Sequence, residues 1–81
     1  MKKYGPLYDY LNTCGKTSLR LTFDEIEKII DDTLPKSALN HRPWWANQRS
    51  GDRPQADAWL SASYKVSSLN QSEKWVEFTK E

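Results

Sequence analysis

The chain of 81 residues has few of the residue types on which common catalytic and metal sites depend. Its one cysteine, Cys14, can form no disulfide within the chain and cannot build a thiolate metal site alone. The three glycines form no phosphate-binding loop, and the one histidine, His41, has no second histidine at metal-ligand spacing. No local pattern pairs a nucleophile with His41. These absences argue against the common hydrolase and metalloenzyme classes.

Long apolar runs are also absent, and the charges nearly cancel. No stretch approaches the roughly 20 apolar residues of a membrane span, and no apolar signal-peptide run follows Met1. We therefore expect a soluble, cytoplasmic protein with no membrane partner. Charged residues make up 28% of the chain, yet the net charge is only +1. That balance argues against binding of nucleic acid by bulk electrostatics.

The length predicts a single domain over residues 1–81. A chain of roughly 60 residues buries only about 60% of its unfolded surface, so the core has to be built economically. Hydrophobic residues are 37% of the chain and aromatic residues 12%, so a few large side chains must supply much of the burial. We expect Trp59 and Trp75 to belong to this core. Pairing between copies would add buried surface, and a homo-oligomer is therefore one expectation.

Local patterns in the first half predict a helix, a strand and a second helix. Pro6 and the apolar spacing after it predict a helix over about residues 6–13. Alternation over residues 17–23 predicts a half-buried strand. Thr22 and Glu25 then form a capping-box pattern, which predicts the start of the second helix.

Prolines and polar residues divide the second half into short pieces. The second helix should end near residue 31 or 32, and Pro35 should open another helical turn, which Pro43 stops by holding Arg42 extended. The polar residues 48–55 predict an exposed loop, and a helix should follow through Ala62.

Two runs near the C-terminus, residues 64–69 and 74–78, predict a terminal β-hairpin. The predicted element order is αβααββ. Such an order indicates an α+β fold, with short helices packed on one side of a small antiparallel sheet.

The most distinctive segment places two adjacent tryptophans, Trp44 and Trp45, among basic and amide side chains. One interpretation is that both rings fill the core. Neighbouring side chains diverge by about 100° on a helix and lie on opposite faces of a strand, so two adjacent rings cannot be buried equally well. We therefore expect at least one ring to be partly exposed, as tryptophans at binding hot spots are.

Arginines cluster around this pair, whereas the preceding helix is acidic. The window from Lys36 to Arg53 contains Arg42, Arg49 and Arg53. Asp52 is the one acidic residue in this window. Arginine presents a rigid fork of donors suited to phosphate or carboxylate. The alternative is that these arginines pair with the acidic helix of the same chain or are solvated in a loop.

His41 and Asn47 complete the candidate site. The predicted ligand-binding residues are Trp44, Trp45, Arg42, His41, Asn47, Arg49 and Arg53. A lone histidine before an arginine is more often a structural residue or a ligand contact than a catalyst, and Asn47 suits a turn cap equally well. We expect no catalytic residue, no metal ligand and no cofactor.

Four blocks of the sequence carry a resemblance to a known family. They are Leu34-Pro35-Lys36-Ser37-Ala38, His41-Arg42, Trp44-Trp45-Ala46-Asn47 and Ala58-Trp59-Leu60. In this order they resemble a small uncharacterised domain of bacteria and their viruses. The resemblance covers most of the chain and implies a shared fold, and it suits a phage or mobile-element accessory protein. Such domains continue with a glycine after the Ala58-Trp59-Leu60 helix, where this chain has Ser63.

These residues lead to one main hypothesis and two alternatives. The main hypothesis is a non-enzymatic protein that binds a nucleotide-type ligand, with a tryptophan stacked on a base and arginines on phosphate. The ligand would be a small signalling nucleotide or single-stranded nucleic acid, as in a phage counter-defence accessory protein. The first alternative is a protein-binding inhibitor or adaptor of a larger enzyme. The second, a small hydrolase that uses His41 and an acidic residue, has the least support.

Overall fold

The computed structural model describes residues 3–48 and 53–81. Its elements are α1 (Gly5–Thr13), β1 (Ser18–Thr22), α2 (Phe23–Ile30), α3 (Lys36–Asn40), the 3-10 helix η1 (Arg42–Trp45), α4 (Pro54–Ser61), β2 (Tyr64–Asn70) and β3 (Trp75–Lys80). The α+β class and the C-terminal hairpin predicted from the sequence are confirmed. None of the helices in the described segments has the length and apolarity needed to cross a membrane.

The predicted capping box sets the boundary between β1 and α2. The Thr22 hydroxyl accepts a hydrogen bond from the Glu25 amide at 3.1 Å, and the Glu25 carboxylate accepts one from the Thr22 amide at 2.8 Å. These bonds satisfy two donors that a helix otherwise leaves unpaired at its start. Asp31 ends the helix in the left-handed conformation, with φ of 54°. The chain thus passes from strand to helix without an intervening loop.

The sheet has the order β1-β3-β2, so the last strand of the hairpin lies in the middle. Both pairings are antiparallel, and Leu19 lies opposite Phe78 in the β1–β3 ladder. The β2–β3 ladder is regular up to Val66 and then shifts by one residue before Ser68, which leaves a β-bulge at Ser67. Both β1 and β2 are therefore edge strands.

The two faces of the sheet have different surroundings. Side chains on the inner face join the helices in one hydrophobic core, in which Tyr64, Val76 and Phe78 are at most 1% exposed. On the outer face of the sheet, the side chains of β1 are exposed, and the salt bridge from Arg20 to Glu77 lies there at 3.6 Å. The helices thus lie on one side of the sheet, as predicted.

Three expectations about local structure need correction or lie outside the described residues. Arg42, which was expected to be extended before Pro43, is instead the first residue of η1, because the Trp44 amide donates to the His41 carbonyl. The extended residue is His41. Trp75, expected in the core together with Trp59, lies on the outer face, since Val76 and Phe78 occupy the inner one. The middle of the predicted loop, residues 49–52, lies outside the described segments.

The turn between α4 and β2 places Ser63 in a backbone conformation that favours glycine. Its φ is 65°, where a side chain costs about 1 kcal/mol. We expect Ser63→Gly to raise the free energy of unfolding by about 0.5–1 kcal/mol in urea denaturation. Ser18→Gly, in the extended β1, is the control and should lower it by a similar amount. A Ser63→Gly loss as large as that of the control would contradict the interpretation.

Candidate functional site

Trp45 lies inside a stack of three aromatic rings. Its ring is nearly parallel to those of Phe23 and Trp59, at centroid distances of 5.2 and 5.8 Å and an interplanar angle of 15° in both cases. Its indole N–H donates to the Ala38 carbonyl at 2.8 Å, and the residue is 3% exposed. Both ring faces are thus covered by the protein itself. Trp45 offers at most an edge to a ligand.

Trp44 is the half-buried member of the pair. Its ring packs edge-to-face on Trp45 at 4.7 Å and on Tyr4 at 6.0 Å. Desolvation by burial, followed by the negative charge of Asp32, raises the pKa of Tyr4, so its phenol is neutral at physiological pH. The expectation that one of the two rings stays partly exposed is confirmed for Trp44.

Asn47 ties the segment after η1 to β2 and α4. Its amide nitrogen donates to the Val66 carbonyl at 3.0 Å, and its amide oxygen accepts from the Val66 amide and from the Trp59 indole, both at 2.9 Å. The side chain thus pairs with Val66 as a neighbouring strand residue would. These bonds use the polar atoms that the sequence analysis assigned to a ligand.

The two described arginines of the predicted site bond to main-chain carbonyls. Arg53 Nη1 donates to the Pro43 carbonyl at 2.6 Å, whereas Arg42 Nη1 reaches the Leu69 carbonyl at 3.4 Å. In neither bond is the acceptor a carboxylate of α2. His41 is exposed, and Arg49 lies outside the described residues.

Two glutamines donate to main-chain carbonyls of η1 and α3, and the sequence analysis did not identify them. Gln55, which is 5% exposed, donates from its amide to the Trp44 carbonyl at 3.0 Å. Gln71 donates to the Ala38 carbonyl at 3.1 Å, next to the Trp45 indole bond. No spacing rule marks a glutamine whose acceptor lies far away in sequence, so the fold was needed to find them.

A groove of about 480 Å³ separates η1 from β2. One wall consists of Arg42, Pro43, the edge of Trp45 and Ala46, and the other of residues 66–69. Pockets of this size are typical for small ligands. Most of the predicted site therefore borders or supports one groove.

Comparison with known proteins assigns the chain to a family. A family model described as a domain of unknown function, DUF7662, matches residues 4–81. The chain belongs to the DUF7662 family. Neither a curated protein nor a solved structure matches it significantly. The match confirms the resemblance to an uncharacterised domain family over nearly the whole chain.

In this DUF7662 domain, polar bridges close both ends of the groove. Asn47 bonds to Val66 at one end, and Arg42 reaches Leu69 at the other. Between them, the hydroxyl of the bulged Ser67 turns back to Thr79 at 2.7 Å. The bridges and the bulge protect the edge of β2 from pairing with another strand, as natural edge strands commonly are protected.

A second, more polar opening of about 630 Å³ lies at the start of β2, lined by Asn47, Leu60, Ser63, Lys65 and Glu81. Two charges of opposite sign on its walls give it no net preference for an anion or a cation. No group of three or more metal-ligating side chains occurs among the residues that the structure describes. We therefore regard the groove between η1 and β2 as the candidate site of this DUF7662 domain.

Two further clusters lie away from the groove. The thiol of Cys14 is 3.2 Å from the Tyr64 hydroxyl, which also donates to the Lys16 carbonyl. Their hydrogen bond, together with burial, raises the pKa of Tyr64 to about 12.

On the outer face of the sheet, the Arg20 guanidinium stacks 3.8 Å from the Trp75 ring centroid. The alternation of the last strand marks Trp75 as outward-facing, and that signal was missed.

Asn47 should contribute to stability and not only to binding. Asn47→Ala removes three hydrogen bonds and leaves the indole N–H of the buried Trp59 without its acceptor. We expect a loss of about 2 kcal/mol in the free energy of unfolding, measured by urea denaturation. The control, Asn12→Ala on the exposed side of α1, should stay within about 0.5 kcal/mol. Equal urea midpoints for the two variants would show that the Asn47 side chain does not stabilise the fold.

Proposed function

We propose that this DUF7662 domain is a non-enzymatic binding protein whose groove between η1 and β2 accepts a short segment of a partner protein. The observation that carries the proposal is the composition of the groove. Pro43, Ala46, Val66 and Leu69 provide apolar surface, and Arg42 adds a charged donor. Arginine is enriched at protein interfaces, and the buried centre of an interface is more apolar than its rim.

The bonds of the site residues favour this function over a phosphate clamp. A clamp needs several free donors that converge on an anion. Here Arg53 is bonded to Pro43, and the amide of Asn47 is bonded to Val66 and Trp59. The ring of Trp45, meanwhile, is covered on both faces. These features support a site that receives an apolar side chain.

The protected edge of β2 limits how a partner can bind. The outward N–H and C=O of Val66 are bonded to Asn47, and Ser67 forms a bulge. A partner strand therefore cannot continue the ladder along the whole of β2. The groove suits side chains inserted from a short segment and does not suit strand addition.

The partly exposed Trp44 favours a second candidate, the nucleotide-type ligand of the sequence analysis. Trp44 follows His41 and Arg42, whose side chains are exposed. A base stacked on Trp44 would lie close to the Arg42 guanidinium and the His41 imidazole. A small signalling nucleotide or a short single strand suits the near-neutral chain better than long duplex DNA does.

Several finer expectations remain predictions. A bacterial or phage source, a counter-defence role, a cytoplasmic location, an enzyme as the partner and a homo-oligomeric state all belong to this proposal. In the homo-oligomer the partner is a second copy of the chain, and light scattering of the purified protein measures its mass in solution.

Peptide selection tests the groove. A displayed library of random 12-residue peptides is selected on the immobilised protein, and an enriched peptide is then synthesised. We expect shifts in the ¹H–¹⁵N spectrum at Ala46 and at residues 66–69 on peptide binding. Ala46→Lys, which fills the groove, should weaken binding at least about 10-fold, equivalent to about 1.4 kcal/mol.

The matched control introduces the same charge on the outer face of the sheet. Ser18→Lys lies on the exposed side of β1 and should bind the peptide like the original chain. Thermal melting checks that both variants are folded. Failure to enrich any peptide, or spectral shifts confined to other surfaces, would contradict the proposal.

The nucleotide candidate makes a different prediction at Trp44. Binding of a short oligothymidylate or a mononucleotide should weaken at least about 5-fold in Trp44→Ala, because a stacked base contributes about 1–3 kcal/mol. Binding should also fall steeply as salt rises, whereas an apolar groove responds less. Calorimetry at two salt concentrations measures both effects. Unchanged affinity in a folded Trp44→Ala would exclude stacking at this ring.

A further inference from the structure

We infer that the partner segment places a carboxylate against Arg42, next to the apolar side chain that enters the groove. This inference rests on the proposed function and names the chemistry of the ligand. It assigns Arg42 as a specificity-determining residue. The segment is thus an apolar residue flanked closely by aspartate or glutamate.

Charge on the walls of the groove points to an acidic partner. Among the described residues that line the groove, Arg42 is the one ionisable residue, and none of them carries a carboxylate. The salt bridges in the described part of the chain join Lys3 to Asp32 and Arg20 to Glu77, so they do not involve Arg42. The described walls of the groove therefore present a positive charge beside apolar surface, and a carboxylate of a partner complements that charge.

The bond that Arg42 makes in the free protein is weak and exchangeable. Its guanidinium reaches the neutral Leu69 carbonyl at 3.4 Å, at the outer limit for a hydrogen bond, and the side chain is exposed. Arg53, by comparison, holds the Pro43 carbonyl at 2.6 Å. A carboxylate can accept two parallel bonds from a guanidinium and binds it more strongly than a carbonyl does. A ligand carboxylate would thus take the Arg42 donors from Leu69.

The spacing of the bridges sets the length of the recognised segment. Val66 and Leu69, which carry the two polar bridges, are three residues apart on β2. The bulge at Ser67 shortens this span, because Val66 and Leu69 pair with Phe78 and Val76, which are two residues apart on β3. At about 3.3 Å per residue the two bridges are therefore roughly 7 Å apart along the groove. That distance accommodates one apolar side chain, with the carboxylate at the Arg42 end. The acidic residue should therefore lie within two positions of the apolar anchor.

An array of defined peptides tests the inference. The probes are nonapeptides with leucine at the centre and each of the twenty amino acids placed in turn at the two positions on either side, with serine elsewhere. A matched set carries serine in place of the central leucine, so that dependence on leucine is measured directly. We expect the original chain to bind aspartate- or glutamate-containing peptides at least 5-fold more strongly than the matched asparagine or glutamine peptides. The preference should shrink as salt rises, since it depends on charge.

Substitutions at Arg42 separate charge from shape. Arg42→Gln should lose the acidic preference but still require the central leucine, and Arg42→Glu should prefer lysine or arginine at the flanking positions. Arg42→Lys should retain part of the preference. Melting curves identify any variant that fails to fold, and the charge-preserving Arg42→Lys then carries the comparison.

The outcomes distinguish this inference from the function on which it rests. If no peptide binds with dependence on the central leucine, the groove does not receive an apolar anchor and the proposed function fails. If leucine-dependent binding persists without an acidic preference, or if Arg42→Gln keeps that preference, the groove stands and the role of Arg42 is wrong.

Discussion

The stack of Phe23, Trp45 and Trp59 is the interaction on which the rest of this DUF7662 domain depends. It joins the start of α2, the short η1 and the middle of α4, three pieces that are too short to be stable alone. Trp59 continues the contact to Phe78 in the central strand at 5.6 Å. Large flat rings give a small chain much buried area from few residues, at little conformational cost. Aromatic contacts thus run without a break from α2 through η1 and α4 to the central strand of the sheet.

Burying two indoles also requires two hydrogen-bond acceptors, and this requirement explains much of the surrounding polar structure. Ala38 supplies one acceptor through its carbonyl and Asn47 the other through its side chain. Among the described residues no buried polar side-chain atom lacks a partner. Fixing Asn47 in turn fixes the backbone on both sides of the groove. The geometry of the candidate site is therefore a result of satisfying the core.

The elements that local chemistry controls could be predicted from the sequence. Thr22 and Glu25 predict the start of α2 because the hydrogen bonds of a capping box span only three residues. The alternation around Leu19 predicts β1 because successive side chains of a strand point to opposite faces. The hairpin was predicted for the same reason. The α+β class followed from these elements, since an amphipathic strand and helix have few ways to bury their apolar sides together.

The roles of the site residues depend on partners distant in the chain, and these could not be predicted. Asn47 bonds to Val66 and Arg53 to Pro43, and no periodicity links such pairs. Neighbouring arginine and tryptophan residues suggest a binding surface whether or not the tryptophan ring is exposed. The sequence therefore does not distinguish Trp44, which is partly exposed, from Trp45, which is buried. Trp75 is different, because its position opposite Thr22 in the ladder follows from alternation that the sequence already contains.

The order of the strands has a consequence for synthesis of the chain. Because β3 lies in the middle, neither β1 nor β2 has a neighbour in the sheet until the last strand has left the ribosome. Ser18, for example, pairs with Thr79, across almost the whole sequence. A nascent chain that stops before residue 75 exposes the inner sides of two unpaired strands. Folding of this domain must therefore wait for its C-terminal residues, and in the meantime a translating ribosome carries a chain that is prone to aggregation.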